Sequence, residues 1–278
     1  MSNSFAEQSA NLKIYSGFIT KDQISAYQNN ALEANMDEWQ MLLVNETFPT
    51  VYSPITYSDA KRFIRIFEQH FQKLHDQQLF DQIRERMDIW FNDDQEEKQW
   101  YEEIKERLQK TIDQAFPTNN NGFFLQKTSS RSAKDACIFK RDFLQIYENE
   151  LSKFPDPSQE NSRIIALLTA ALLALCLTNA SDILSMFIIS ERIYQDMLLA
   201  TEAQNPSDDL FKENIILRPF IPLDVDMEFR GFVFQQRLTC LSQYNYLIYS
   251  QRLCQEKDTI LLIFRPTDKD LVEKQLHV

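Results

Sequence analysis

Long stretches with helical periodicity alternate along the chain with short apolar runs that are typical of strands. After Ser58 one apolar face continues to about residue 76, which predicts a helix. A second, charged helix is predicted from Gln95 to Ala115, where apolar residues recur every four positions at Trp100, Ile104, Leu108 and Ile112. Asn45 to Pro54 carries two prolines and is interpreted as a loop. The pattern therefore predicts a helical N-terminal region over residues 1–118.

The second half of the chain begins with further helical patterns. Helices are predicted for Asp142 to Leu151 and for Ala180 to Ala200. Between them, the run from Ile164 to Leu177 is almost wholly apolar. A bilayer span takes about 20 residues, so this run is too short to cross a membrane and predicts a central buried helix.

Strand patterns concentrate between residues 214 and 249. The apolar run Ile215 to Leu217 ends at Arg218-Pro219, which predicts a strand followed by an extended connection. Apolar and aromatic residues then dominate from Met227 to Phe234 and from Arg237 to Tyr249, with a turn predicted at Gln235-Gln236. Two antiparallel strands are expected there, with the side chains of residues 228 and 230 on the same face.

Composition limits the classes of function. A chain of 278 residues with 44% hydrophobic content can bury a full core. Its net charge of −12 argues against a nucleic-acid partner, because phosphate-backbone binding needs clustered cations, but it permits a basic protein partner. Four irregularly spaced cysteines indicate neither a zinc site nor a disulfide framework. Reduced thiols, with no secretory signal at the N-terminus, predict a cytoplasmic protein that does not span a membrane.

A candidate anion site follows a short apolar strand that begins at Phe123. The strand leads to Lys127, and small hydroxyl residues with Arg131 and Lys134 come next. Hydroxyls, backbone N–H groups and cationic side chains are suited to binding anionic oxygens. The glycines of a phosphate-binding Walker loop are absent. The alternative interpretation is a polar loop in which Ser132 caps a helix starting near Lys134.

Five short blocks in this order resemble the cell division cycle protein 123 (D123) family. The resemblance extends from Gly122 to about Tyr249, with an additional helical segment over about residues 140–172. The blocks are Lys127 with Ser132-Ala133-Lys134-Asp135-Ala136, Ser181-Asp182-Ile183-Leu184, Leu217-Arg218, Glu228-Phe229-Arg230 and Ser242-Gln243.

The resemblance implies an ATP-grasp fold, in which ATP lies between two α+β lobes. It also implies an assembly chaperone that binds the gamma subunit of eukaryotic initiation factor 2. Carried over by position, Lys127 reaches the nucleotide phosphates, Lys134 and Asp135 close the same motif, and Leu217 and Arg218 lie on the hinge strand beside the adenine. Arg230 and Gln243 correspond to polar contacts near the phosphates.

The sequence departs from the family pattern in two places. Tyr244-Asn245-Tyr246 stands where the family tends to have Arg-Asp-Tyr, which removes one cation and one carboxylate. The family's further strands, which carry its metal-binding Asp and Asn, are not recognised. Asp258 to Phe264 is predicted as one more strand, and Lys269 to Leu276 as a last helical turn. Residues 119–278 are therefore predicted as an ATP-grasp-like domain that lacks the C-terminal metal-binding strands.

These patterns predict an α+β fold with an ATP-grasp-like core, a helical N-terminal region and a helical insertion. The expected function is that of a D123-like assembly chaperone with a weak or degenerate nucleotide site. An active ATP-dependent ligase or kinase using Mg²⁺ is the alternative, with Asp226 and Glu228, together with Asp224, as candidate metal ligands on one strand face. The question of enzymatic activity stays open, as does a third interpretation, a truncated form of a longer protein.

Overall fold

The computed structural model describes residues 35–86, 90–91, 94–117, 122–127, 131–203, 211, 213–235 and 237–264. Among them, α-helices and two small antiparallel sheets form a mixed α/β structure. The helices are α1 (Met36–Trp39), α2 (Tyr57–Ile66), α3 (Gln72–Asp76), α4 (Phe80–Arg86), α5 (Gln95–Ala115), α6 (Phe143–Leu151), α7 (Glu160–Leu173), α8 (Ala180–Ile189), α9 (Glu191–Ala203), α10 (Gln251–Gln255) and α11 (Lys257–Phe264). The strands are β1 (Val51–Ile55), β2 (Phe123–Lys127), β3 (Glu213–Pro219), β4 (Phe229–Phe234) and β5 (Arg237–Gln243).

The chain divides into two compact units that interleave in sequence. Unit 1 comprises residues 1–141 and 174–220, and unit 2 comprises residues 142–173 and 221–278. The boundary predicted between residues 118 and 119 thus falls inside unit 1, between α5 and β2. The predicted insertion over about residues 140–172 corresponds closely to the first segment of unit 2, which carries α6 and α7.

A three-stranded antiparallel sheet organises unit 1, in the order β1-β3-β2. The central strand is the predicted apolar run, and its Ile216 and Leu217 are wholly buried. β1 pairs along the length of β3, with Val51 opposite Leu217 and Ile55 opposite Glu213. The prediction of a loop from Asn45 to Pro54 is therefore wrong at its C-terminal end, because Pro54 occupies an edge strand, where a missing N–H is tolerated.

Helices α2 and α5 of unit 1 begin where capping residues satisfy their first N–H groups. Thr56 and Asp59 form a reciprocal capping box at α2, and Asp94 accepts hydrogen bonds from two backbone N–H groups at the start of α5. α2 continues through a π-helical turn, Phe67–Phe71, into α3. The four-residue repeat predicted for α5 is confirmed: Trp100, Ile104, Leu108 and Ile112 are buried.

The single helix predicted from Ala180 to Ala200 is wrong, because the chain forms two helices that meet at Ser190. The side chain of Ser190 is fully buried, and its Oγ accepts a hydrogen bond from the N–H of Ile193 at 3.2 Å. The same hydroxyl donates to Oδ1 of Asp135 at 2.7 Å. Ser190 therefore ends α8 and caps α9, a role that apolar periodicity does not reveal.

In unit 2, helices α6 and α7 pack against each other. α7 contains most of the apolar run that was predicted as a central buried helix, but the helix is buried on one face only. Ala166 and Ala170 are inaccessible, whereas Leu167 is 46% exposed. None of the helices in the described ranges is long and apolar enough to span a bilayer.

The predicted hairpin is confirmed as β4 and β5, which pair with Phe229 opposite Gln243 and Phe234 opposite Arg237. Gln235 adopts a positive φ of 48° in the turn. The second strand ends at Gln243, earlier than predicted. The strand predicted from Asp258 to Phe264 is wrong, because these residues lie in α11; a short apolar run does not by itself distinguish a strand from a helix. The predicted turn over residues 269–276 lies outside the described residues.

Candidate functional site

Three of the predicted nucleotide-site residues of unit 1 lie on β2 and β3. Lys127 is the last residue of β2 and pairs with Ile215 of β3; its side chain is outside the described part of the structure. Leu217 is opposite Leu125 of β2, and its side chain is fully buried. Leu217 therefore contributes to the core through its side chain, and it lies between Val51 of β1 and Leu125 of β2.

Asp135 joins two elements of unit 1. Its Oδ1 accepts from Ser190 Oγ at 2.7 Å, and its Oδ2 accepts from the backbone N–H of Arg192 at 3.1 Å, in the first turn of α9. Both carboxylate oxygens are thus used within the protein, and the negative charge is well placed at a helix N-terminus. Lys134 precedes it, at the start of a 3₁₀ helix that spans Lys134–Phe139.

The loop before that helix differs from both interpretations of the sequence. Arg131, considered as an anion contact, forms an ion pair with Asp196, whose side chain is only 9% exposed, at 3.0 Å. Ala133 occupies the cap position, and Ser132 instead forms an isolated bridge with Gln126. The expected Ser132 cap is therefore wrong, because Ser132 continues the extended backbone beside β2.

Arg218 has only hydroxyl groups as described side-chain partners. Its Nε donates to Thr50 Oγ1 at 3.1 Å, and its Nη2 donates to Thr47 Oγ1 at 3.3 Å. Partial burial lowers the pKa of Arg218 from its ordinary value. Both threonines lie in the segment that sequence analysis assigned to a loop, so their role was missed. Because the hydroxyls are neutral, the cationic charge of Arg218 stays suited to an anionic ligand.

In unit 2, the residues that depart from the family pattern contact the predicted site residues. The guanidinium of Arg230 lies over the ring of Tyr244, 4.8 Å from its centroid. Nδ2 of Asn245 donates to Oε2 of Glu228 at 3.3 Å. Gln243 donates through Nε2 to the backbone carbonyl of Asp226 at 3.4 Å. Arg230 therefore has a cation–π contact and Glu228 an amide contact, although the two residues were predicted on the same strand face.

The acidic pair Asp224 and Asp226 contacts Arg252 at the start of α10. The guanidinium of Arg252 donates to Asp224 Oδ2 at 2.9 Å and to Asp226 Oδ1 at 2.7 Å. Ser250 caps α10 by accepting from Leu253 N–H at 3.0 Å, and its hydroxyl donates to Asp226 Oδ2 at 2.7 Å. Arg252 and Ser250 were not predicted as site residues, since neither periodicity nor spacing relates them to the acidic residues.

A metal site at these acids does not fit the described structure. Asp226 lies in a turn and Glu228 precedes β4, so the expected alternation on one strand face is wrong. A divalent cation would have to displace Arg252 from two carboxylates. Among the described residues, no three acidic, histidine or cysteine side chains are grouped closely enough to bind a metal ion.

The predicted site residues therefore separate by unit. Unit 1 contains Lys127, Lys134, Asp135, Leu217 and Arg218. Unit 2 contains the remaining ones, which are Arg230 and Gln243 for the nucleotide and Asp226 and Glu228 for a metal.

Comparison with known proteins supports the resemblance. The chain is similar to the structure of Cdc123 from Schizosaccharomyces pombe, with 16% identity, a TM-score of 0.50, and coverage of 89% of this chain and 74% of that one. The structure of C-terminally truncated Cdc123 from the same organism matches with 16% identity, a TM-score of 0.49 and coverage of 89% and 75%. No curated protein matches the chain. The D123 family model matches residues 167–275, which include β3, the hairpin and α10, and the resemblance to the D123 family is thereby confirmed.

Proposed function

We propose that the chain is a cytoplasmic D123-like assembly chaperone that binds the gamma subunit of eukaryotic initiation factor 2. Its fold is ATP-grasp-like, and its nucleotide site is weak or degenerate. The D123 match over residues 167–275 and the similarity to the Cdc123 fold support the family part of this proposal. The protein partner and the nucleotide site are inferences from that resemblance.

The observation that carries the degenerate-site part of the proposal is the contact of Arg252 with Asp224 and Asp226. Nucleotide-dependent group transfer uses a metal ion to neutralise the developing charge on the phosphates. Here a protein cation already neutralises Asp224 and Asp226, two of the three candidate metal ligands in unit 2. Arg218 and Arg230, whose described side-chain contacts are with hydroxyls and an aromatic ring, still suit an anion. Weak nucleotide binding without turnover is consistent with these contacts of Arg252, Arg218 and Arg230.

Calorimetry with the full chain tests the two parts separately. The purified gamma subunit is expected to form a complex with it, because protein binding is the proposed activity. ATP is expected to bind weakly, with the same affinity in Mg²⁺ and in EDTA, because no described carboxylate group is arranged for the metal. Failure to bind the gamma subunit would reject the chaperone role, and tight Mg²⁺-dependent ATP binding would reject the degenerate site.

Turnover assays address the alternative enzymatic function. Asp226→Ala/Glu228→Ala removes two of the three candidate metal ligands, and Asp113→Ala/Glu103→Ala removes two acids of α5 as a charge-matched control. We expect no ATP hydrolysis or phosphoryl transfer above background in any of the three proteins. ATP turnover by the wild type that only the first double variant abolishes would instead establish an ATP-dependent ligase or kinase.

A further inference from the structure

One face of the β4–β5 hairpin is exposed at every position. It is formed by alternate residues of β4 and by their partners on β5. Phe232 is 48% exposed and Phe234 is 66% exposed. On the opposite face Leu238 and Leu241 are half-buried, whereas Val233 is 64% exposed. The exposed hairpin face consists of Arg230, Phe232, Phe234, Arg237, Cys240 and Ser242.

This face lacks the covering that a hairpin of this size requires. β4 and β5 form a two-stranded sheet, with no third strand in the part of the chain that the structure describes. Isolated two-stranded hairpins are marginally stable in water, and large exposed apolar side chains on a sheet mark an interaction surface. The two phenylalanines are adjacent on this face, so a partner that covers them would bury a continuous apolar area.

The charge of the hairpin is opposite to that of the whole chain. No Asp or Glu occurs between Glu228 and Glu256, although the chain contains 41 acidic residues and has a net charge of −12. The charged residues in that interval are Arg230, Arg237 and Arg252. Most of the protein repels an acidic partner segment, whereas the hairpin attracts it. The charge pattern therefore favours an acidic partner and directs it to the hairpin.

We propose that the exposed hairpin face binds an extended acidic segment of a protein partner, in which apolar side chains lie between two carboxylates. The carboxylates pair with Arg230 and Arg237, and the apolar side chains cover Phe232 and Phe234. Arg237 is opposite Phe234, four residues along β4 from Arg230, so the two cations are about 13 Å apart along the strand. Two acids four residues apart in an extended segment span the same distance. The inference rests on the proposed protein-binding function and identifies its surface.

Single-stranded RNA is the other anionic polymer that could stack on aromatic side chains. Sequence-independent binding of RNA relies on a groove of many cations along the phosphate backbone. This face offers two arginines, one of which lies over Tyr244, within a strongly acidic chain. A segment with few charges and several apolar contacts fits the surface better.

Disulfide trapping on the full chain tests the proposal without a known partner. Cys240 lies on the exposed hairpin face, and Cys254, exposed on α10, is an internal control in the same molecule. The probe is acetyl-Thr-Glu-Thr-Leu-Thr-Glu-Thr with a C-terminal cysteamine thiol, equilibrated with the protein in 2-mercaptoethanol. The same peptide with Lys for Glu and a thiol-bearing oligouridine are the comparison probes. Peptide mapping by mass spectrometry measures capture at each cysteine.

Capture of the acidic peptide at Cys240 is expected to be about tenfold greater than its capture at Cys254. It should also be about tenfold greater than capture of the lysine peptide at Cys240. Phe232→Ser/Phe234→Ser removes the preference for Cys240 over Cys254, because the apolar contact of the acidic peptide is lost. Leu144→Ser/Leu167→Ser, at residues 55% and 46% exposed elsewhere in unit 2, retains it. Equal capture of acidic and basic peptides, no effect of the phenylalanine substitutions, or stronger capture of oligouridine would overturn the proposal.

Binding of the gamma subunit, measured on the same proteins, separates the two inferences. Loss of gamma-subunit binding in the phenylalanine variant alone supports the exposed hairpin face as its docking surface. A variant that binds the gamma subunit as the wild type does overturns that assignment and leaves the proposed function standing. A wild type that captures the acidic peptide selectively but does not bind the gamma subunit rejects that partner and retains the surface.

Discussion

Nη2 of Arg252 lies 2.7 Å from Oδ1 of Asp226, and the two residues are brought together by the cap of α10. Ser250 caps the helix and donates to the other oxygen of the same carboxylate, which fixes its orientation. Asp224 completes the contact through the second guanidinium nitrogen, Nη1. The hydrogen bonds to Asp224 and Asp226 raise the pKa of Arg252 above its ordinary value. The guanidinium therefore occupies the position that a metal would need.

Arg252→Met is expected to expose this acidic pair while changing stability little. The Arg252 side chain is 41% exposed and that of Asp224 is 68% exposed, so the ion pairs contribute about 0–1 kcal/mol to the free energy of unfolding. Without the guanidinium, the two carboxylates should bind Mn²⁺ more strongly than they do in the wild type, as measured by electron paramagnetic resonance of free Mn²⁺. Arg163→Met, at an exposed position on α7, is the control. Equal Mn²⁺ binding by all three proteins would contradict the assigned role of Arg252.

The elements that could be predicted from the sequence are those whose pattern is local. The four-residue repeat of α5, the apolar run of β3 and the turn at Gln235 are each specified by neighbouring residues, and the structure contains all three. The pairing of β1 with β3 was missed because it joins residues far apart in sequence, and proline near Val51 to Ile55 favoured a loop. A chain shortened by residues 1–115 would lose this edge strand, so full-length protein is needed for binding experiments.

The candidate site shows the same limit. Lys127, Leu217 and Arg218 were located because short sequence blocks place them on β2 and β3. Their contacts could not be predicted, since the partners come from other elements: Thr47 and Thr50 for Arg218, and Leu125 for Leu217. In unit 2, Tyr244 and Asn245 differ from the family pattern, and from the sequence they were interpreted only as the loss of a cation and a carboxylate. In the structure Tyr244 contacts Arg230, and Asn245 contacts Glu228.

Gly122 is expected to be the glycine most sensitive to substitution of the two described. Its φ is +83°, and a Cβ atom there would lie 2.5 Å from Cys176 Sγ and 3.0 Å from the carbonyl oxygen of Leu177. Gly122→Ala should therefore lower the free energy of unfolding by about 2–4 kcal/mol, measured by urea denaturation.

Two further variants separate the causes of this effect. Gly231→Ala is the control, because the backbone there is ordinary and the nearest atom, Leu238 Cδ1, is 3.1 Å away. Cys176→Ala removes the closest side-chain atom and should recover part of the loss in the double variant. The backbone strain and the contact with the Leu177 carbonyl would persist. A Gly122→Ala protein as stable as the wild type would show that the strand entry tolerates a side chain.

The four cysteines are expected to react with iodoacetamide in an order set by burial. Burial, with a smaller effect from Asp135, raises the pKa of Cys137 to about 11, and burial also raises the pKa of Cys176. Cys240 and Cys254 are exposed and should be alkylated first at pH 8. Mass spectrometry of the native protein should find Cys137 unmodified until urea unfolds the chain. Early labelling of Cys137 would contradict its burial in unit 1.

Asp59 is expected to make the stability of unit 1 fall at acidic pH. Burial would raise the pKa of its carboxyl, but hydrogen bonds from Trp100 Nε1 at 2.8 Å and from Thr56, together with the charge of Arg107, hold it below the ordinary value of 3.8. A carboxyl with a lowered pKa in the folded state contributes stability that is complete above about pH 4 and is lost as the pH falls through the folded value.

Asp59→Asn keeps the shape but removes the charge, so it should cost about 2 kcal/mol at pH 7. The difference between variant and wild type should shrink as the pH falls from 3.8 through the lowered pKa of the folded protein, because the wild-type carboxyl then becomes neutral as well. Urea denaturation between pH 2.5 and pH 7 measures both quantities. Asp113→Asn, at an exposed position on α5, should show neither the loss nor the pH dependence. A constant difference across this pH range would mean that Asp59 acts through shape and hydrogen-bond geometry alone.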